Sequence, residues 1–172
     1  MAEIERARVA EREPGAGQDY ERTIKFFMAK RERAWTGDIV VRGDERPWSQ
    51  SRQGHVKTYI NPVHEGINSC LKDWMIFIHD IRSHSGKHRH QGGLVIYVLE
   101  GDGYTEVDGQ KVEWEAGDLL LLPLKPGGVE HQHYNKRPGE NCKWMAFIYL
   151  PYCDEIGFWV EHRENSPDYE AQ

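Results

Sequence analysis

Between Asp19 and Thr36 the apolar positions recur at the period of a helix; past residue 38 they break into short runs of the kind that build sheets. Tyr20, Ile24, Phe27, Met28 and Trp35 form one stripe at spacings near 3.6, with Arg22, Lys25, Lys30 and Arg33 outside it. Asp19 is placed to cap that helix. Before it, a segment rich in charge, Ala and Gly runs through Glu13-Pro14-Gly15-Ala16-Gly17 and predicts a disordered arm, because it cannot bury much. Ile39-Val40-Val41, Trp74 to Ile81, Leu94 to Leu99, Leu119 to Leu122 and Trp144 to Leu150 read as strands bounded by Gly, Pro and Asp. Glu100-Gly101-Asp102-Gly103 and Val107-Asp108-Gly109-Gln110 carry Asp-Gly between β-favouring segments, which predicts hairpins.

Many short strands with almost no helix after residue 36 predict an all-β sandwich or barrel. Two parts follow: an arm and amphipathic helix over 1–37, and a barrel with a C-terminal tail over 38–172. The helical stripe is too apolar to stand free in water and must dock, either on its own barrel or on a second subunit. The second choice predicts a homodimer.

The bulk numbers narrow the classes. At 172 residues the chain can bury one substantial core without staples. A net charge of -6 leaves no basic footprint, which argues against nucleic acid or an anionic membrane as partner. Met1-Ala2-Glu3-Ile4-Glu5-Arg6 is charged where a signal peptide needs an apolar run, and no stretch approaches the roughly 20 apolar residues of a span, so the expectation is a cytoplasmic protein. Cys70, Cys142 and Cys153 are odd in number and lack C-x-x-C spacing; they read as reduced thiols, without a disulfide framework or a thiolate zinc site.

The chemistry sits in the histidines. In an extended strand, residues two apart share a face, so His88 and His90 project together, and so do His131 and His133. Imidazoles gathered from two strands are a site for Fe, Mn, Ni, Cu or Zn. Parity alone does not choose between His131 and His133 as the third ligand. Gln91 reaches such a metal only if its strand bends sharply; otherwise it is a packing or wall residue. His84 lies in the loop before the motif, and His55, His64, His79 and His162 have no such company. Trp74, Tyr97, Tyr104 and Trp144 read as core or cavity wall. Arg89 points away from the metal and suits a carboxylate partner.

Taken together, Gly86-Lys87-His88-Arg89-His90, Val98-Leu99-Glu100-Gly101-Asp102-Gly103, Glu115-Ala116-Gly117-Asp118 to Pro123, and His131 to Asn135 resemble the two paired motifs of the cupins. The resemblance covers roughly residues 70 to 150 and implies a cupin-type double-stranded β-helix, a jelly-roll barrel over 38–165 whose interior carries one divalent metal per chain. By the spacing to Asn135, it implies His88, His90 and His131 as ligands. Many cupins add a Glu four or five residues after the second His; here those positions are Leu94 and Val95, and Leu94 shares the face of His88 and His90. Three neutral ligands leave up to three positions open and favour an anionic, chelating substrate. The second motif is also expanded, with Gly127-Gly128 shaping the pocket mouth.

His88-Arg89-His90 and His131-Gln132-His133-Tyr134-Asn135 are similar to the corresponding stretches of gentisate-type ring-cleaving dioxygenases. That similarity implies Fe(II), with Mn, Ni or Zn as alternatives, and His133 as the catalytic base toward a substrate hydroxyl. Those enzymes are longer and carry bulky aromatics where Gly127 and Gly128 stand. The expected function is therefore a cupin dioxygenase acting on a small phenolic or oxygenated organic acid. The alternatives are a metal-dependent lyase, isomerase or decarboxylase without O₂, and a small-molecule-binding cupin without turnover.

Overall fold

The computed structural model describes residues 18–64 and 67–169, so the predicted arm lies outside the described residues. The chain divides into two units, Met1–Ile39 with Asn68–Cys70, and Val40–Ile67 with Leu71–Gln172.

In the first unit, α1 spans Asp19–Thr36. Its N-cap is Gln18, which makes no capping bond, so Asp19 is the first helical residue instead of the cap. Asp19 and Glu21 in the first turn and Arg33 in the last still complement the helix dipole. The Gly37 N–H closes the last turn on the Arg33 carbonyl at 2.8 Å. A Cβ at Gly37 would press on the Cys70 backbone, which accounts for the glycine. No residue of α1 is buried; the stripe of Tyr20, Ile24, Phe27, Met28 and Trp35 is exposed along its length. The run expected as a strand at Ile39-Val40-Val41 is irregular. Ile39 is 88% and Val40 65% exposed, and β-branched residues form a strand only where a neighbour completes the ladder.

Among the described residues the second unit holds eleven strands and a short helix: β1 (Trp48–Ser51), β2 (Gly54–Ile60), β3 (Trp74–Asp80), β4 (Lys87–His90), β5 (Leu94–Glu100), β6 (Asp102–Val107), β7 (Gln110–Glu115), β8 (Leu119–Leu122), β9 (Val129–Asn135), β10 (Lys143–Tyr149), α2 (Leu150–Glu155) and β11 (Val160–Glu164). Six strands form one sheet in the order β1-β2-β3-β10-β5-β8, and five form the other in the order β11-β4-β9-β6-β7. This is the antiparallel double sheet of a jelly roll.

Alternation builds the core. Leu94, Ile96 and Val98 of β5 and Trp144, Ala146 and Ile148 of β10 are buried against Trp114 of β7, each large side chain contributing roughly 1.5–3 kcal/mol. Tyr97, one step out of phase with Ile96 and Val98, is 41% exposed and is not a core residue.

Of the two expected hairpins, one forms. Asp108 (φ 49°) and Gly109 (φ 80°) turn β6 into β7 as a left-handed pair of the type I′ kind. Glu100–Gly103 is instead a corner, because β5 and β6 belong to different sheets. Gly103 lies inside β6, where a Cβ would overlap the Trp114 indole and the Tyr134 carbonyl. A second change of sheet follows His90: Gly92 (φ 90°) and Gly93 (φ 69°) carry the chain out of the five-stranded sheet into β5. Among the described residues no helix is long and apolar enough to cross a membrane.

Candidate metal centre

β4 and β9 pair antiparallel with His88 directly opposite His131. That register, together with the two-residue period of β4, brings His88, His90 and His131 to one place. One ring nitrogen from each lies within 4.8 Å of the other two. The ring centroids stand 4.2 Å (His88–His131), 4.8 Å (His90–His131) and 5.3 Å (His88–His90) apart. Among the described residues this group contains no carboxylate or thiolate.

The donor set fits a divalent cation. The His131 Nδ1 lies 3.2 Å from the Val129 carbonyl; with a proton there, the lone pair falls on Nε2, the usual arrangement of a metal-binding imidazole. That Nε2 is buried and has no hydrogen-bond partner. An orphaned buried nitrogen is costly unless something fills its lone pair. His88 is arranged alike, with Nδ1 3.5 Å from the Gly86 carbonyl. His90 differs: its Nδ1 accepts the Gly92 N–H at 3.0 Å, so binding a cation through Nε2 requires the ring to give up that contact.

Burial keeps these rings neutral. The His88 pKa is pushed down to about 4 by burial and then by the neighbouring His90 charge, and that of His90 to about 4 by burial. His131 and His133 are held well below the ordinary range, again chiefly by burial. Neutral imidazole is the form that ligates a metal.

His133, two residues on, shares the inward face of β9, its ring 5.3 Å from that of His131. Its Nδ1 lies 2.7 Å from the Thr105 hydroxyl, which also accepts the Trp114 indole N–H at 2.8 Å. Its backbone N–H is held by the Ser85 hydroxyl at 2.9 Å. Asn135 donates to the Ile81 and Glu140 carbonyls at 3.0 Å each and so pins the end of β9.

Sequence reasoning passed over His79. It lies on the inner face of β3, packs edge-on against Trp144 at 4.9 Å, as His133 does, and is pushed down to about 3, first by burial and then by His88. The signal was available: His79 continues the inward parity of Met75 and Phe77.

The remaining candidates separate. Gln91 spends its side chain on the backbone of Gly157 and Trp159. His84 lies between the Ser85 carbonyl and the Gln132 amide, in the wall behind β9. Leu94 is buried, but it reaches the interior from the other sheet, so continuous strand parity with His90 does not describe it. The Asp108 carboxyl is held below its ordinary value first by the Lys125 ammonium and the Glu130 N–H and only last by Arg89, whose Nε is buried without a hydrogen-bond partner.

Comparison with known proteins agrees with this geometry. Residues 79–148 match the cupin domain family. A gentisate 1,2-dioxygenase of Ralstonia sp. is 33% identical over 84 residues, 47% of this chain and 22% of that protein. A variant of salicylate 1,2-dioxygenase from Pseudoaminobacter salicylatoxidans, solved with gentisate, superposes with a TM-score of 0.51 at 23% identity, over 86% of this chain and 39% of that one. The Streptomyces protein Pac13, solved with uridine and described as a nucleoside dehydratase, superposes with a TM-score of 0.53 at 11% identity, over 75% of this chain and 94% of that one. Residues 79–148 are thus similar to a cupin domain and the chain to part of a gentisate 1,2-dioxygenase, and it spans about a fifth of the length of the curated relative it matches.

Proposed function

We propose that this protein is an Fe(II)-dependent dioxygenase that acts on a small phenolic or oxygenated organic acid bound bidentate at the three-histidine centre. The observation that carries the reading is the grouping of His88, His90 and His131 without a carboxylate, the His131 Nε2 buried and unpartnered. Fe(II) is the proposed metal; Mn, Ni or Zn would occupy the same donors. When bound, the metal would supply Lewis-acid and one-electron chemistry toward O₂.

The chain's own residues would do the rest. Three neutral rings leave the charge of a divalent ion unbalanced, which favours an anionic chelator. His133, neutral at physiological pH and steadied by Thr105, would accept a proton from a substrate hydroxyl at Nε2, with Nδ1–H given to the Thr105 oxygen. The interior of Leu94, Ile96, Ile148 and Trp144 would exclude water.

The exposed stripe of α1 supports a homodimer with that helix at or beside the interface, and the reading is of a cytoplasmic enzyme. A lyase, isomerase or decarboxylase without O₂ is the second reading, favoured by the match to a dehydratase chain over nearly that chain's whole length. A binding cupin without turnover is the third. Metal analysis of freshly purified protein, then anaerobic addition of catechols and hydroxybenzoates with O₂ uptake recorded, separates the three. Uptake tied to a substrate supports the dioxygenase, product without O₂ selects the second reading, and binding without product the third.

A further inference from the structure

Gln91 follows a proposed ligand directly, is only 5% exposed, and yet turns its amide away from the histidines. Its Oε1 accepts the Trp159 N–H at 3.0 Å and its Nε2 donates to the Gly157 carbonyl at 3.1 Å. The two bonds bracket one residue, Phe158. The Phe158 ring lies 5.4 Å from the His90 ring at 47° and packs on the core, while its own N–H is tied to the Cys153 carbonyl at 2.9 Å. The Gln91 main-chain carbonyl accepts the Lys125 N–H at 2.8 Å, so the loop between β8 and β9 is fastened to the same residue. The two loops also touch: a Cβ on Gly128 (φ 77°) would stand 3.2 Å from the Trp159 ring.

From this arrangement we propose that Phe158 is the aromatic wall of the metal pocket and that Gln91 is the positioning residue that fixes it there. The proposal rests on the metal-centre reading and extends it to specificity. A phenyl ring beside a ligand imidazole offers a flat chelator an offset or edge contact at the 4.5–7 Å separation that aromatic pairs favour. A small aliphatic chelator has no ring to place there. The wall therefore discriminates aromatic from aliphatic oxygen chelators, while the histidines hold the metal in either case. Its position also bears on Gly128 (φ 77°), where a Cβ would meet the Arg89 Cγ at 3.0 Å, the His90 carbonyl at 3.1 Å and the Trp159 ring at 3.2 Å: the aromatic surface comes from the segment after α2.

The test uses the full chain loaded with Co(II) under anaerobic conditions, with salicylate and lactate as probes, binding read from the cobalt absorption bands and by calorimetry. Phe158→Leu keeps hydrocarbon volume and removes the ring face. It should weaken salicylate by about 3- to 10-fold, the equivalent of one aromatic pair, with lactate within twofold and cobalt stoichiometry unchanged. Gln91→Met should shift salicylate in the same direction with Phe158 intact. Gln91→Glu, which retains the acceptor for the Trp159 N–H, should fall between and decides the positioning role if Gln91→Met does not fold. Wild type that binds salicylate, with Phe158→Leu binding it equally or losing both probes alike, overturns the wall alone. Salicylate binding unaltered in the Gln91 variants overturns the positioning role. Wild type that loads cobalt but binds neither probe overturns the chelate reading of the centre and the wall with it.

Discussion

Acid should unfold the metal-free protein well before its carboxylates titrate. His79 is held at about 3, and His88 and His90 at about 4, against an ordinary value of 6.5. A lowered native pKa means that the unfolded chain binds protons that the native state refuses. Stability is thus fully present above the unfolded value, falls as pH drops through 6.5 toward 4, and levels for these groups once the native rings also protonate. Between pH 7.5 and 5.0 the linkage costs each of the three about 2 kcal/mol, and together about 6 kcal/mol. That is comparable to the whole stability of many domains, ~5–15 kcal/mol. Urea melts in a chelator at pH 7.5, 6.5, 5.5 and 5.0 measure it directly. His79→Gln should flatten the pH dependence by about 2 kcal/mol over that range, whatever it costs in absolute stability. Zn(II) at about 100 times its Kd should add about 2.7 kcal/mol at neutral pH, an increment that shrinks on acidification as protons compete for the ligands. A chelated protein whose stability is level or rises between pH 7.5 and 5.0 would refute the neutral-cluster reasoning.

The histidines of β9 should divide by role: His131→Ala strips most of the metal, whereas His133→Ala keeps metal content and slows turnover by about 10²- to 10⁴-fold. Equal metal loss in both, by elemental analysis, would reassign the third ligand. Thr105→Val leaves the Trp114 indole N–H unpaired in the core and should cost about 1–3 kcal/mol in a denaturant melt; an unchanged midpoint would mean that the bond is dispensable. Deleting residues 1–36 should convert a dimer into a soluble monomer by light scattering; a truncated chain that stays dimeric and folded would remove α1 from the interface.

The legible part of the fold was the part in which apolar residues announce themselves. β3, β5, β8 and β10 are apolar on at least one face, and their bounds lie within one residue of the runs Trp74 to Ile81, Leu94 to Leu99, Leu119 to Leu122 and Trp144 to Leu150. β1, β2 and β11 escaped notice because Trp48–Ser51, Gly54–Ile60 and Val160–Glu164 interleave their apolar residues with polar and charged ones and offer no continuous apolar run; ladder partners along the chain define them. Ile39-Val40-Val41 failed for the opposite reason, having strand-like residues but no neighbour. Asp102-Gly103 was misread because its glycine answers a tertiary demand, the Trp114 ring, that no local signal carries. At the site, two-residue spacing and clustering were enough to single out His88, His90, His131 and His133. Gln91 and Thr105 were not legible in the same way, since their roles depend on partners far along the chain.

The placement of β4 sets the timing of assembly. This strand has four residues, and its two neighbours arrive late: β9 contributes the partner of His88 about forty residues on, and β11 the partner of His90 about seventy residues on. Contacts so distant in sequence are slow to form, because loop closure must precede any gain from pairing. A cation cannot find its three donors until β4 and β9 have met, so the competent centre should emerge after the β6–β7 hairpin, whose partners lie close in sequence. Stopped-flow refolding in the presence of Co(II) would show that order as a lag between intrinsic tryptophan fluorescence and the cobalt bands.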